Sequence, residues 1–469
     1  MVGLSDAAVA QLETALATAL AGEGVDASSA QHGGRVWLAY SGGVDSQLMA
    51  TLLARWQQRQ PQRSCALLHV HHGLSEHADG WELHCRRSAE RLGLPLTVSR
   101  VQLALKSRIS VEAAARDARY AAFLSHLGPK DILLTGHHLD DQAETLLLAL
   151  KRGSGPKGLA SMSRRRALGD ATLLRPWLGI PRVIIERAAQ SLGLTHIEDD
   201  SNADTRFDRN FLRHRVLPEL EQRWPGFRRN LARSAELCAE QQHLCDELAR
   251  SDLDAVARPC GGLSVSAIAS LSAERRNNLL RYWLGTRGGV MPTRAQLAQM
   301  AQLWEAREDA QPQIAWEGGE LRRYRDGIYL LRAPLPVLPK RETLPLLAHW
   351  LDASALSEPG SPAPEWALAN GEQWCGQRCH QGERLMLPRP GQAVSVRYGL
   401  SGSTRLRPLG RSGSRSLKKL WQEYGVPPWQ RDGIAMLCYD DEVVAALGLW
   451  LEQSALAESG VGWVPVRVE

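Results

Sequence analysis

Along the chain, the first residues whose types and spacing suit a chemical role are the six at 41–46, Ser-Gly-Gly-Val-Asp-Ser. They lie between the apolar stretch VWLAY and a helix predicted to begin near Asp45. Gly42 and Gly43 permit a tight turn whose backbone amides can approach an anion closely. The N-terminus of the following helix adds N–H groups without helical partners and a dipole that favours phosphate. The hexapeptide therefore predicts a phosphate-binding turn between a strand and a helix.

The polar side chains of this turn suit the same chemistry. Ser41 and Ser46 can donate hydroxyl hydrogen bonds, and Asp45 can hold a divalent cation against phosphate oxygens. The alternative is an ordinary glycine turn in which Asp45 only caps the helix. A Walker loop is excluded, because the later stretch GSGPKGL lacks the Gly-Lys-Ser/Thr ending that places a lysine on the phosphates. No Gly-x-Gly-x-x-Gly follows the first strand either, which disfavours a dehydrogenase or a kinase.

The second group with chemical potential is the stretch GHHLDDQAET, in which two histidines precede three acids on a predicted helix. These residues are His137, His138, Asp140, Asp141 and Glu144. Asp140 and Glu144 are four residues apart and share a helix face. Acids at the ligand-binding edge of a sheet could bind an ammonium group or Mg²⁺; the alternative is a solvated, well-capped helix start. A zinc site is disfavoured because adjacent histidines diverge on a helix.

Both groups follow predicted strands of an alternating pattern. Strands are predicted at 36–40, 65–70, 94–100 and 131–136, and helices at about 45–60, 78–92, 110–127 and 139–151. Strands that alternate with helices of this length indicate βαβ units and a doubly wound parallel sheet covered on both faces. Ligands bind such sheets at the carboxyl ends of the strands. The two groups are therefore expected at one edge of the sheet.

The chain changes character after residue 151. One more strand is predicted at 172–176 and a helix at 182–192; helical patterns then cover 211–250 and 272–308, a proline-rich linker 333–347, and short β-like runs 365–469. We therefore expect an α/β protein with three domains. They are a parallel-sheet domain at 1–222, a helical middle domain with the linker at 223–345, and a small mixed α/β domain at 346–469.

Composition narrows the class of protein. The chain has 469 residues, 44% of them hydrophobic and 23% charged, so a folded globular protein is expected. No apolar run reaches the roughly 18–20 residues that a membrane span needs, and the N-terminus lacks the basic region and apolar core of a secretory signal. Eight cysteines are too few for a disulfide scaffold. These features predict a cytoplasmic protein that does not associate with membranes.

The net charge of +5 is unevenly distributed. Residues 151–230, the first basic zone, carry 16 Lys and Arg against 9 Asp and Glu, a net charge of +7. Residues 384–431, the second basic zone, carry 10 Lys and Arg against one acid, Glu423, a net charge of +9, and the remainder is net −11. Two basic zones on an otherwise acidic chain predict a polyanionic partner contacted at two places. Two solvated surfaces without a partner are the alternative.

The SGGVDS turn resembles the PP-loop of the ATP pyrophosphatases, which cleave ATP to AMP and pyrophosphate while adenylating a substrate. HHLDDQAET after a PP-loop is similar to the subset that acts on a cytidine in tRNA. Four further stretches resemble the tRNA(Ile)-lysidine synthetase family: VHHGL at 70–74, SVEAAARDARY at 110–120, HIEDDSNADTRFDRNFLRHRVLPEL at 196–220 and SRSLKKLWQEYGVPPWQRDGIAML at 414–437. The resemblance covers most of 35–235 and about 384–450.

This resemblance implies a two-step reaction. ATP, with Mg²⁺, adenylates the 2-carbonyl oxygen of the wobble cytidine in the CAU anticodon of an isoleucine tRNA. The ε-amine of free L-lysine then displaces AMP and leaves lysidine. Because the side-chain pKa of lysine is about 10.4, a positioned carboxylate must accept a proton before the amine can attack.

The resemblance also implies roles for particular residues. ATP binding is expected at Ser41, Gly42, Gly43, Val44, Asp45, Ser46 and His71, with Asp45 as the Mg²⁺ ligand. Catalysis is expected from Asp45, Asp140, Asp141 and Glu144, of which the last three would recognise and deprotonate lysine. tRNA binding is expected at Arg209, Asn210, Arg213 and Arg215 in the first basic zone, and at Arg405, Arg407, Arg415, Lys418 and Lys419 in the second. A solvated basic helix face is the alternative for the first set, and Trp421 is expected to pack in the core.

Two other functions stay open. A tRNA cytidine thiolase of the same superfamily is disfavoured, because such enzymes carry cysteine pairs near the PP-loop domain. Here Cys65 and Cys85 are the only cysteines in the first 230 residues, in apolar or helical settings. A non-catalytic RNA-binding protein would explain the basic zones but not two intact motifs. The oligomeric state is open, and a homodimer is one of the alternatives.

Overall fold

The computed structural model describes residues 2–23, 34–73, 75, 77–101, 111–258, 261–307, 312–332, 337–351 and 365–468. These residues divide into two compact units, Met1–Leu248 and Ala249–Glu469. Across the described ranges, no helix is both long enough and apolar enough to span a membrane. The limits of the three expected domains stay a prediction.

A six-stranded sheet forms the centre of the first unit. Its strands are β1 (Val36–Ala39), β2 (Cys65–His71), β3 (Leu96–Arg100), β4 (Ile132–Leu134), β5 (Arg165–Leu168) and β6 (Ala171–Leu174), in the order β3-β2-β1-β4-β6-β5. Neighbouring strands are parallel except β5 and β6, which pair antiparallel. The five predicted strands are confirmed as β1 to β4 and β6. The sixth, β5, escaped prediction because its first three residues are exposed and give no apolar signal.

Helices cover both faces of this sheet. In the first unit they are α1 (Val2–Ala21), α2 (Val44–Arg59), α3 (Ala78–Leu92), α4 (Val111–His126), α5 (Leu139–Lys151), α6 (Pro156–Leu159), α7 (Arg182–Ser191), α8 (Asp208–Phe211), a π-helix (Leu212–Val216) and α9 (Leu217–Arg223), while α10 (Phe227–Val256) continues into the second. Leu38 of β1 packs with Leu48 of α2 and Ile185 of α7, whereas its neighbour Trp37 packs with Phe123 of α4. Successive residues of one strand thus enter two different cores, which confirms the doubly wound sheet.

The first helix, α1, completes one of these cores. Leu12, Leu16 and Leu20 of α1 are fully buried. They recur every four residues and form one apolar stripe. The backbone carbonyl of Leu12 accepts a hydrogen bond from Nε1 of the buried Trp177 at 3.2 Å.

The second unit begins with a region that is helical, as expected, but also contains a sheet. Its helices are α11 (Val265–Ala269), α12 (Ala273–Thr286), α13 (Arg294–Gln299) and α14 (Gln302–Glu305). Its strands β7 (Leu263–Ser264), β8 (Gln313–Trp316), β9 (Gly319–Tyr324) and β10 (Gly327–Leu331) form an antiparallel sheet in the order β7-β10-β9-β8. The strands are only two to six residues long, so their apolar–polar alternation is weak in the sequence.

The remaining residues form a β-rich region with two helices. They comprise β11 (Arg341–Thr343), α15 (Pro345–Leu351), β12 (Glu365–Ala367), β13 (Gln373–Cys379), β14 (Val394–Arg397), β15 (Arg405–Leu406), β16 (Arg415–Ser416), α16 (Leu417–Glu423), β17 (Met436–Tyr439), β18 (Glu442–Ala446), β19 (Trp450–Leu451) and β20 (Gly462–Arg467). The sheets are β11-β14-β17-β18-β19, β12-β13-β20 and the hairpin β15-β16. Part of the expected linker therefore folds, since β11 and α15 lie within 333–347 or begin there; residues 333–336 lie outside the described ranges.

Candidate active site

The predicted phosphate-binding turn lies at the carboxyl end of β1, near the middle of the sheet. Gly42 has a φ of +83°, and a Cβ atom there would lie 2.3 Å from Cδ1 of Ile197. Ile197 also donates its backbone N–H to the carbonyl oxygen of Gly42 at 2.9 Å. Both the backbone conformation and the close contact require glycine at this position. The segment after α7 therefore packs directly on the turn.

The two serines hold the turn in shape. Ser46 Oγ accepts hydrogen bonds from the N–H groups of Gly42 at 3.0 Å and Ser41 at 3.3 Å, and donates to the Gly43 carbonyl at 3.1 Å. Ser46 is buried, whereas Ser41 is exposed. Gly43 is the N-cap of α2 and supplies no side-chain cap to it. The amides of the first helical turn are therefore available to an anion.

Asp45 points from the first turn of α2 toward the loop after β4. Its Oδ1 atom is buried without a hydrogen-bond partner, and Nε2 of His138 lies 3.8 Å away. Burial raises the pKa of Asp45, while His138 and Arg182 act in the opposite direction. A Cβ atom on Gly136 would lie only 3.2 Å from the Asp45 Cβ, so this glycine allows the loop to approach α2.

The two histidines of the second motif face different partners. His138 is the N-cap of α5: its Nδ1 accepts from the Asp141 N–H at 3.4 Å, and its own N–H donates to Asp141 Oδ2 at 3.1 Å. His137 Nδ1 instead lies 2.8 Å from Thr135 Oγ1, and burial lowers the pKa of His137 to about 4. Burial acts to raise the pKa of Asp141, but the charges of His138, His137 and Arg209 and the hydrogen bond from the His138 N–H together lower it.

The acidic cluster, formed by Asp140, Asp141 and Glu144, is already neutralised by arginines of the first basic zone. Glu144 is fully buried and accepts from Arg213 Nε at 2.6 Å and Nη2 at 2.9 Å. Arg213 Nη2 also donates to Asp141 Oδ1 at 3.3 Å. Arg209 Nε lies 3.1 Å from Glu144 Oε2, and its Nη2 donates to Thr145 at 3.0 Å. Residues expected to bind lysine and residues expected to bind tRNA thus contact each other.

Asp140 has different partners from its neighbours. Its Oδ2 accepts a hydrogen bond from the backbone N–H of Arg182 at 3.0 Å, and Arg228 Nε lies 2.9 Å from its Oδ1. Glu221 accepts from the backbone N–H of Arg228 at 3.0 Å, which fixes the start of α10. Asp140 therefore ties α5 to the beginnings of α7 and α10.

The other expected residues of the first unit lie apart from this cluster. His71, at the end of β2, is 3.1 Å from Asp79 through its Nε2. Asn210 is buried and donates to the Asp204 carbonyl at 3.0 Å, so it holds the preceding loop. Arg215 is exposed on the π-helix.

The expected tRNA-binding residues of the second unit lie on one hairpin and the helix after it. Arg405 and Arg407 lie on or beside β15, Arg415 begins β16, and Lys418 and Lys419 lie in α16; all five are exposed. Trp421 is buried, as expected, with its ring 5.5 Å from that of Trp450. Trp429 lies against the sheet β7-β10-β9-β8, called the middle sheet, with its ring 5.8 Å from that of Tyr329 on β10.

Several residues that shape the site were missed by sequence reasoning. Ile197 stands in an acidic run, where a lone apolar residue was the available signal. Gly136 opens the second motif but was not recognised as a point of close approach. Arg182 and Arg228 gave no signal, because their partner Asp140 is distant in sequence. Thr145 ends the second motif, but its contact with Arg209 joins two helices that are far apart in sequence.

The chain matches three family models. A PP-loop domain matches residues 12–220, a TilS substrate binding domain residues 263–329, and a TilS substrate C-terminal domain residues 394–467. Among solved structures, the U34-tRNA thiolase NcsA from Methanococcus maripaludis has a TM-score of 0.41 and 18% identity, covering 50% of this chain and 80% of that one.

Curated relatives are similar over nearly the whole length. The tRNA(Ile)-lysidine synthase of Serratia proteamaculans is 45% identical over 428 residues, which cover 90% of this chain and 93% of that protein. The protein of the same name from Shewanella oneidensis is 42% identical over 450 residues, 92% and 94% of the two chains. That from Salmonella typhimurium is 41% identical over 432 residues, 91% and 95% of the two chains. With its PP-loop turn, its acidic cluster and similarity at this level, the chain belongs to the tRNA(Ile)-lysidine synthase family.

Proposed function

We propose that this protein uses ATP to join L-lysine to the wobble cytidine of the CAU anticodon of an isoleucine tRNA. The cytidine is first adenylated with release of pyrophosphate, and lysine then displaces AMP to give lysidine. The observation that carries the proposal is the meeting of the PP-loop turn with the α5 carboxylates at one sheet edge, where His138 Nε2 lies 3.8 Å from Asp45 and 3.4 Å from Asp141. One centre thus combines a phosphate cradle with groups able to bind an amine.

The turn supplies the phosphate site. The amides at the start of α2 bind the ATP phosphates, and the exposed hydroxyl of Ser41 adds a donor. Ser46 acts through the turn itself, because its hydroxyl is occupied by Gly42 and Gly43. Val44 contributes the first backbone amide of the helix. His71, at the carboxyl end of the adjacent strand, borders the nucleoside.

Asp45 fits a divalent cation. Its Oδ1 is the one carboxylate oxygen among the described residues that is buried without a hydrogen-bond partner. Carboxylate oxygen is the ligand type that Mg²⁺ prefers. Asp45 would therefore hold Mg²⁺. When bound, this ion would neutralise negative charge on the phosphates.

The three α5 carboxylates divide the work on lysine. Asp141 lies 3.4 Å from His138 Nε2, the atom that also lies 3.8 Å from Asp45. The lowered pKa of Asp141 keeps it ionised and able to attract the ammonium group of lysine. Glu144 and Asp140 are held by Arg213 and Arg228 at 2.6 and 2.9 Å, whereas the hydrogen bond from Arg213 to Asp141 is longer, at 3.3 Å. We therefore assign Asp141 to recognition of the lysine ammonium group and Glu144 and Asp140 to positioning it, and the proton of the amine passes to this group of three carboxylates.

The two basic zones bind the tRNA. Lys and Arg side chains that neutralise RNA phosphates release counterions, which supplies affinity that falls with salt. In the first zone, Arg209 and Arg213 are fixed by Glu144 beside the reacting groups, and Arg215 is exposed. In the second zone, the exposed residues Arg405, Arg407, Arg415, Lys418 and Lys419 contact the RNA backbone.

The cysteines argue against sulfur transfer. Cys65 and Cys85 are buried, and burial raises the pKa of each thiol to about 12. A thiol with such a pKa is protonated at neutral pH and a poor nucleophile.

The test is incubation of the protein with ATP, labelled lysine and tRNA transcripts. We expect label in the CAU isoleucine tRNA alone, with AMP and pyrophosphate formed in equal amounts. The methionine tRNAs, which share the CAU anticodon, are the matched controls. Label in no tRNA, together with sulfur incorporation from a persulfide donor, would overturn the proposal in favour of a thiolase.

A further inference from the structure

The exposed aromatic side chains of this protein are confined to one short segment. The chain has 4 Phe, 8 Tyr and 15 Trp residues, and all of them lie among the described residues. Only Phe207, Phe211 and Trp224 are exposed, at 48%, 48% and 54%. Large aromatic rings are normally buried in folding, so exposure that is restricted to one segment indicates a surface kept for a partner.

Phe207 and Phe211 share a face of the helical segment that carries the site arginines. Phe211 donates its backbone N–H to the Phe207 carbonyl at 2.9 Å, the spacing of one helical turn. Arg209 and Arg213 lie two residues further along and therefore on the opposite face. That opposite face contacts Glu144. The segment thus turns its arginines toward the acidic cluster and its two phenylalanines toward solvent.

Trp224 differs from the two phenylalanines. It lies beyond α9, and its ring is 5.8 Å from that of Phe227, which packs on a buried cluster. Among the described residues, neither Phe207 nor Phe211 contacts another aromatic ring. The solvent-facing pair is therefore the part of the aromatic surface that is open to a ligand.

The surroundings of this pair are cationic. Arg209 and Arg213 are turned toward Glu144, which leaves Arg206 and Arg215 as the arginines of residues 206–215 on the solvent side, and Arg206 is bonded to Asp204 at 2.7 Å. Arg206 is 88% exposed, and His214 and Arg215 are exposed as well. A pair of open aromatic rings within a basic surface matches a single-stranded nucleic acid, whose bases stack on rings while its phosphates meet cations.

We propose that Phe207 and Phe211, here called the aromatic pair, form a platform on which unpaired bases of the RNA loop stack. The platform holds the loop while the base that reacts enters the site on the other face of the same helix. This inference rests on the proposed function for the identity of the RNA, but not for the stacking itself. Because a paired base is already stacked in its duplex, the platform selects unpaired loops over helices.

The test compares two double variants. F207L/F211L keeps apolar bulk but removes the rings, and F207W/F211W keeps rings. Binding is measured with an RNA stem–loop that carries the CAU loop, and with a fully paired duplex of matched length. In the leucine variant we expect the Kd for the stem–loop to rise roughly 10- to 100-fold. In the tryptophan variant it should stay within about threefold of wild type. The Kd for the duplex should be unchanged in both variants.

A second readout separates stacking from a folding effect. 2-Aminopurine placed in the loop is expected to lose fluorescence when the wild-type protein stacks on it, and to keep that fluorescence with F207L/F211L. Leu83→Ala, a change at a residue that is also 48% exposed, is the control and should bind like wild type. Thermal unfolding and ATP binding of every variant are measured alongside.

The outcomes distinguish this inference from the proposed function. If the wild-type protein makes lysidine but F207L/F211L binds the stem–loop with unchanged Kd and unchanged quenching, the platform is wrong. Equal losses for stem–loop and duplex would also overturn it, since they would indicate a charge or folding effect. If no lysidine forms but loop binding depends on the aromatic pair as described, the platform stands and the proposed reaction fails.

Discussion

The role of each carboxylate in the candidate site depends on the hydrogen-bond and ion-pair partners that it already has. Glu144 and Asp140 are ion-paired to Arg213 and Arg228 at 2.6 and 2.9 Å, so an incoming lysine would have to compete with bonded guanidinium groups. Asp45 lacks a hydrogen-bond partner on Oδ1. A buried carboxylate oxygen without a donor is costly, and a cation bound with ATP would remove that cost.

Asp45→Ala should lower pyrophosphate release by about 100-fold or more, because loss of a metal ligand removes several kcal/mol of transition-state stabilisation. The measurement is tRNA-dependent pyrophosphate release across a Mg²⁺ titration. Asp45→Asn, which keeps the shape but not the charge, should shift the Mg²⁺ dependence to higher concentration. Release at the wild-type rate in the alanine variant would exclude Asp45 from the ATP site.

Glu144→Gln should lower the free energy of unfolding by about 2–4 kcal/mol, because breaking a buried ion pair leaves its partner uncompensated. Equilibrium unfolding in urea measures this change. Glu247→Gln is the matched control: Glu247 pairs with His243 at the surface of α10, with 54% of its side chain exposed, and its loss should leave the unfolding midpoint unchanged. An equal effect of both substitutions would show that the buried pair of Glu144 contributes no more to the free energy of unfolding than an exposed pair.

At the scale of elements, the site depends on where short segments meet. Gly42 in the turn contacts Ile197 in the segment after α7, and the loop that begins at Gly136 packs on the start of α2. These contacts lie at the carboxyl ends of β1 and β4, which are neighbours in the sheet. Parallel pairing brings the ends of both strands to one edge, which is why two motifs far apart in sequence form one centre.

Gly42→Ala should destabilise the first unit by more than Gly193→Ala. Both glycines have positive φ, +83° and +61°, so alanine costs about 1–2 kcal/mol at either position. Only at Gly42 does the new Cβ meet another atom, 2.3 Å away, whereas nothing lies within 4 Å at Gly193. Overpacking adds about 1–3 kcal/mol. Urea unfolding and the Kd for ATP check the difference; equal destabilisation, with ATP binding intact in both, would contradict it.

At the scale of the whole molecule, each of the two units carries one basic zone. The first basic zone lies in Met1–Leu248, beside the PP-loop turn, and the second in Ala249–Glu469. The exposed cations of the second zone include Arg415 and Lys418. Since each unit carries its own basic zone, tRNA affinity and ATP affinity should be separable by mutation.

Arg415→Glu with Lys418→Glu should weaken tRNA binding and reduce the slope of log Kd against log salt by about one to two, because fewer counterions are released. ATP binding, which belongs to the other unit, should be unchanged. Lys340→Glu with Arg467→Glu changes the net charge equally outside both basic zones and serves as the control. If the two double variants lose tRNA affinity equally, binding follows net charge and the second zone has no particular role.

The sequence by itself determined the features that depend on nearby residues. The glycine turn, the alternation of strands and helices, the helix-capping acids after His138 and the uneven charge are all local patterns, so the parallel sheet and the position of its ligand edge could be predicted. Weak local patterns were missed: β5 is mostly exposed, and the strands of the middle sheet are short.

Tertiary structure alone decided which residues meet in the site. Glu144 meets Arg209 and Arg213, Asp140 meets Arg228, and Gly42 meets Ile197. Each contact joins residues from separate elements, and no spacing along the chain specifies such a pair. Residue types could indicate an acidic site and a basic surface, but their mutual neutralisation follows only from packing, because ionic contacts depend on distance in space.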